Sequence, residues 1–151
     1  MKQSEKDAVL DHFGHMYEKI GSTYTIGRCY GLCLLAESPI SQDRFCTELH
    51  LSQSVVSTTV RQLLHIGVLE KTRIKGSRKL HYKVPAHAAQ LAGSATVAKM
   101  TLFEEALVMA SLLELGEVAT ARIKDQRLFY QELSTVVLDF VQTYTERLQE
   151  S

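Results

Sequence analysis

The stretch from Ser52 to Val84 leaves the chain few ways to fold. Ser52 precedes a run, Gln53 to His65, in which Val56, Val60 and Leu63 recur at helical spacing. Ser54, Thr58, Arg61 and His65 cluster on the far side, flanked by Val55 and Gln62. One apolar stripe would hold such a helix on a core, and the small hydrogen-bonding side chains opposite suit the DNA major groove. Ile66-Gly67 ends the run, and two strand-like segments follow, Val68 to Ile74 and Lys79 to Val84, with the reversal at Gly76-Ser77. A lone hairpin of this length is marginal, so it has to pack on the preceding helices as a wing.

The upstream sequence supplies those helices. Ser22 to Ala36 has almost no polar face, with Tyr24, Ile26, Cys29, Tyr30, Leu32, Cys33, Leu34 and Leu35, and is expected at the centre. Pro39 stops it, because the residue before a proline avoids the helical region. Ser41 then caps a short helix, Gln42 to Glu48, that points Phe45, Cys46 and Leu49 inward, and Leu49-His50-Leu51 is the turn before the Ser52 cap. The order is helix, turn, helix, wing.

Both flanks read as helical. From Glu5 to Ile20, Val9, Leu10, Phe13, Met16, Tyr17 and Ile20 make a stripe that Gly21 terminates. A helix this short is marginal alone, and its stripe is expected against a second subunit. After Pro85, the small residues of 86–96 predict a weak helix or connector. A helix follows from Val97, on Met100, Phe103, Leu107, Ala110 and Leu113, to near Gly116. A last helix is expected over about Glu117 to Glu150, with a break near Asp125 and a stripe of Phe129, Leu133, Val136, Val137, Phe140, Tyr144 and Leu148. From Gln126 to Leu148 such a helix spans roughly 34 Å, more than a small module covers, so dimerisation is the economical explanation. The expected fold is therefore mostly α: an N-terminal dimerisation helix (1–21), a winged helix-turn-helix with a two-stranded β wing (22–85) and a C-terminal helical dimerisation region (86–151).

Charge and chemistry narrow the function. The chain is formally neutral, yet between Ser41 and Val84 eight Lys or Arg face three acids, a balance of +5 that the flanks offset. A basic middle between acidic ends suits phosphate neutralisation by a module carried on a self-associating scaffold. No apolar run of about 18 residues marks a membrane span, and the charged N-terminus leads into no apolar signal core, so a cytoplasmic protein is expected. Six scattered histidines form no recognisable catalytic constellation. His12 and His15, near Asp11, read as an exposed helix face, so no catalytic residue, metal or cofactor is assigned. Three cysteines without metal-finger spacing, Cys29, Cys33 and Cys46, read as buried small hydrophobes, with Cys46 near Arg44 the one worth testing for redox chemistry.

The partner expected is a double-stranded DNA operator. Ser52, Gln53, Ser54, Ser57, Thr58 and Arg61 are the candidates for the groove: hydroxyls bond phosphates or bases, glutamine addresses adenine, and arginine a guanine or a phosphate. Lys75, Arg78 and Lys79 would meet the backbone or the minor groove. Two alternatives remain at this level: a winged helix that binds protein and not DNA, and a thiol-based redox regulator.

Ile26-Gly27-Arg28-x-Tyr30-Gly31-Leu32, Ser38-Pro39-Ile40-Ser41, Leu51-Ser52-x-Ser54-x-Val56-Ser57, Leu63-x-x-Ile66-Gly67-Val68-Leu69 and Lys75-Gly76-x-Arg78-Lys79-x-x-Tyr82 occur in this order. Together they resemble the GbsR-type branch of MarR-like transcriptional regulators, over roughly Ile20 to Val84. The resemblance implies a homodimeric winged-helix repressor. It further implies a small-molecule effector, choline or a related osmoprotectant. A quaternary ammonium is held by aromatic faces, and Tyr24, Tyr30 and Phe103 are the candidate effector residues. One departure is His50, where the family usually has glycine; histidine tolerates a left-handed backbone better than most residues.

Overall fold

The computed structural model describes residues 3–150; Met1, Lys2 and Ser151 of the expected terminal segments lie outside the described residues. The chain divides into two compact units, 1–88 and 89–151. Each is built around a different kind of packing.

The first unit runs α1 (Gln3–Lys19), α2 (Tyr24–Leu34), β1 (Ile40–Ser41), α3 (Gln42–Leu49), α4 (Gln53–His65), β2 (Glu70–Arg73) and β3 (Leu80–Lys83). Helix α2 is central, as its composition predicts: Ile26, Cys29, Leu32 and Cys33 are buried together with Phe45 and Leu49 of α3, Val56, Val60 and Leu63 of α4, and Leu69 and Tyr82 of the wing. Three hydroxyl caps start the helices. Thr23, Ser41 and Ser52 each accept a hydrogen bond at 3.3 Å from a backbone N–H three residues on, those of Ile26, Arg44 and Val55, so each satisfies a donor the helix itself leaves unpaired.

Helix α1 packs on α2 inside the chain, so part of the stripe expected to meet a second subunit has an internal partner. Leu10 is buried in the common core, while Val9, Met16 and Ile20 stay exposed. Glycines set the closeness of this crossing. A Cβ at Gly27 would overlap the Phe13 carbonyl oxygen and lie 2.8 Å from the Gly14 Cα, and one at Gly31 would lie 2.9 Å from the Phe13 ring. Lys6 of α1 and Arg44 of α3 both pair with Glu48, tying α1 to the helix-turn-helix. Burial alone would raise the Glu48 carboxyl, but the two cations outweigh it and hold the group below its ordinary value.

Between α3 and α4 the turn is closed by His50 at φ 55 and ψ 43, the one non-glycine residue with positive φ among those described. The wing strands pair in antiparallel register from Glu70↔Lys83 to Arg73↔Leu80. At its tip the Ser77 N–H donates to the Ile74 carbonyl at 3.0 Å, with Gly76 at φ 86, the conformation a type II turn requires at its third position. The sheet has a third strand beyond the two expected. Ile40 and Ser41 pair with Tyr82 and His81 on the other edge of β3. A two-residue strand has no periodicity to announce it, and only the approach of β3 reveals it.

The second unit is a helical hairpin of α5 (Ala88–Ala110) and α6 (Glu117–Gln149). Its antiparallel register follows from Gln90 donating to Thr145 at 2.7 Å, Ser134 to Glu104 at 3.0 Å, and Phe103 stacked on Tyr130 at 5.2 Å. Of the weak helix or connector expected over 86–96, the structure has the helix from Ala88 on, continuous with the helix expected from Val97 as α5. Alanine is the strongest helix former, and Gly93 lets Val141 of α6 approach to a separation a Cβ would block. Helix α6 also passes Asp125 without the expected break. No described residue of either helix is fully buried.

Two substitutions test these local rules. Gly27→Ala should destabilise the protein by about 1–3 kcal/mol through overpacking, because the obstacle is backbone. His50→Gly should stabilise it by about 1 kcal/mol by relieving the left-handed strain. Urea unfolding of the full chain would read both, as midpoints moving in opposite directions.

Candidate nucleic-acid interface

Helix α4 divides its residues as the stripe predicts. Val56, Val60 and Leu63 are buried, with Thr59 beside them, whereas Gln53, Ser54, Thr58, Arg61, Gln62 and His65 are exposed and Ser57 is half-buried. Ser52 is committed to the cap, and its hydroxyl also lies 3.2 Å from that of Ser54. The groove candidates are thus presented on one exposed side of a helix whose other side is fixed in the core.

The wing extends the basic surface. Lys75, Arg78 and Lys79 are all exposed around the tip. Among the described residues, Arg61, Lys75 and Arg78 have no carboxylate within ion-pair distance, while Lys83 is paired with Glu70 at 3.1 Å. Lys79 differs from its neighbours: its ammonium meets the Asp43 carboxylate of α3. Asp43 also accepts from the Gln53 side-chain amide at 2.9 Å, and the Gln42 amide donates to the Gln53 backbone carbonyl at 3.1 Å. Lys79 first, and then Gln53, hold the Asp43 carboxyl below its ordinary value.

Gln42 and Asp43 are absent from the candidates read off the sequence. Ten residues separate Asp43 from Gln53 and thirty-six separate it from Lys79, so no local pattern joins them. The cluster is tertiary.

Each aromatic candidate has its own ring or polar partners. The Tyr24 hydroxyl donates to Asp11 at 2.6 Å, and the Arg28 guanidinium already lies over its ring, 5.7 Å from the centroid. Tyr30 packs against Phe13 and Tyr17 at 6.0 and 5.8 Å. Phe103 belongs to the second unit, stacked on Tyr130. Within the first unit, Tyr24 and Tyr30 face different ring partners and do not form a shared cage.

No protein-family model matches the chain. It is 23% identical over 145 residues to the HTH-type transcriptional regulator MmpR5 of Mycobacterium tuberculosis, covering 93% of this chain and 87% of that protein. A crystal structure of a transcriptional regulator superposes with a TM-score of 0.84 at 19% identity, covering 94% of this chain and 99% of that one. The two share a fold, in this chain a mostly helical winged helix with a three-stranded antiparallel sheet. In a helix-turn-helix the second helix takes the recognition position, and here α4 follows α3 in that order, with β2–β3 as the hairpin after it. Among the described residues, no helix is long and apolar enough to cross a membrane, and no three His, Cys, Asp or Glu are grouped to hold a metal ion.

The cysteines separate by environment. Burial pushes the Cys29 and Cys33 thiols up to about 12, so both stay protonated at neutral pH, whereas Cys46 is half-buried. Since the thiolate is the reactive form, Cys29 and Cys33 should resist iodoacetamide at pH 8 in the folded protein and react after denaturation. Peptide mass spectrometry with and without urea would read this directly, and alkylation of either thiol in the native state would contradict the assigned burial.

Proposed function

We propose that the chain is a sequence-specific transcriptional regulator that binds a double-stranded DNA operator, acting in the cytoplasm as a homodimeric repressor released by a small-molecule effector. The observation that carries the reading is the exposed polar face of α4 in the same unit as three basic side chains without carboxylate partners, Arg61, Lys75 and Arg78. A core-anchored helix with hydroxyls and an arginine facing outward offers base contacts, and unpaired cations offer phosphate contacts. The likeness to MmpR5, a transcriptional regulator, supports the same reading.

The second unit supports the dimer. A hairpin that buries no described residue leaves Leu112 at 81%, Met109 at 71% and Val118, Val136 and Phe140 at 65% exposure, a surface that water disfavours. Helix α6, with 33 residues, is about 50 Å long. A second copy supplies matching apolar helices, and a two-fold dimer would set its recognition helices about 34–36 Å apart, one turn of DNA. The motifs shared with the GbsR-type branch point to choline or a related osmoprotectant as the effector.

A duplex shift assay across a salt series tests the central claim. Wild-type protein should bind duplexes enriched from a randomised pool, with affinity falling steeply as salt rises. No binding at low salt would overturn the reading and leave a protein-binding winged helix in its place. Arg78→Ala should weaken binding to every sequence and flatten the salt slope by about 0.9. Thr58→Ala should instead change the order of preference among sequences. Sedimentation of the full chain should give the mass of two chains, and added choline should lower the shifted fraction.

A further inference from the structure

We propose that Asp43 is a positioning residue that sets specificity: its carboxylate clamps the Gln53 amide, at the start of α4, to the Lys79 ammonium of the wing. The inference rests on the DNA-binding reading and adds a residue that would touch no base. Asp43 and Lys79 are exposed, with side chains 51% and 67% accessible. Pairs of that kind contribute little to stability, so the consequence of the contact is geometric and electrostatic.

The geometric part concerns the amide. A glutamine that reads adenine presents one N–H donor and its carbonyl oxygen together, in one orientation. An ionised carboxylate only accepts, so Asp43 at 2.9 Å can engage Gln53 only through Nε2–H. The flip state is thereby fixed, and the second N–H and Oε1 remain available. Gln42, donating to the Gln53 carbonyl at 3.1 Å, holds the backbone at the same point.

The electrostatic part concerns Lys79. Phosphate attraction is blind to sequence and scales with the cations available. By pairing with Lys79, Asp43 withdraws about one such charge and places a carboxylate beside the groove, which disfavours every sequence equally. Less indiscriminate attraction and a fixed amide both raise the ratio of selected to random binding.

The test is Asp43→Asn, which keeps the size, removes the charge and accepts either flip of Gln53, with Asp43→Glu as the conservative rescue. Each protein is titrated with a duplex enriched by the wild type and with an unselected random duplex, over a salt series. The Asn variant should bind the random duplex more tightly with a slope steeper by about 0.9, and lose about fivefold or more of its preference for the enriched one. Asp43→Glu should recover part of both. Unchanged preference and slope in Asp43→Asn would overturn the proposal. In the free protein, nitrogen-15 relaxation of the Gln53 side-chain amide should show an ordered group in the wild type and a mobile one in Asp43→Asn; equal mobility would also overturn it. If the wild type enriches no duplex, the DNA-binding reading falls, and the relaxation result still decides whether the clamp exists.

Discussion

Burial of the α4 stripe against α2 is the contact on which the first unit depends. Val56, Val60 and Leu63 enter the core formed by Ile26, Cys29, Leu32 and Cys33, and this fixes the rotation of α4 about its axis. Because side chains three and four residues apart share a helix face, fixing the stripe also fixes where Ser54, Thr58 and Arg61 point. A helix rotated by one residue would put hydroxyls in the core and valines in solvent. The surrounding elements serve the same end: the Ser52 cap sets the start of α4, the left-handed His50 sets its angle to α3, and the pairing of Ile40 and Ser41 with β3 joins the wing to the start of α3.

The two units answer the hydrophobic effect differently. In the first, α2 is surrounded and thirteen apolar residues form a single buried cluster. In the second, a pair of long helices has one face for each other and none left to enclose a core. Gly93 against Val141 and Phe103 on Tyr130 hold the pair together, yet Met109, Leu112 and Phe140 remain in water. That exposed area is what the second copy proposed above would cover.

Much of the first unit was legible because its signals are local. Caps at Ser41 and Ser52, the stop at Pro39, the glycine exit at Gly67 and the three-four spacing of valines each act within one turn of helix. The features that differed act over distance or oppose propensity. The internal packing of α1 depends on Gly27 and Gly31 meeting Phe13 across a helix crossing, and a glycine in a helical run does not say what approaches it. The continuity of α5 through 88–96 arises because alanines favour helix even where they offer no stripe, and α6 passes Asp125 because one polar residue on an exposed face costs a helix little.

The sequence by itself determined the order of elements, the buried face of α4 and the basic character of the wing, since period, capping and charge are all short-range properties. Only the tertiary structure decided which polar groups already have partners. Gln53 and Lys79 read much like Ser54 and Lys75 along the chain, but Asp43 takes the first two, while Ser54 meets the Ser52 hydroxyl and Lys75 has no ion-pair partner among the described residues. Hydrogen bonds and ion pairs act over a few ångströms of space, and folding brings together residues that the chain holds far apart.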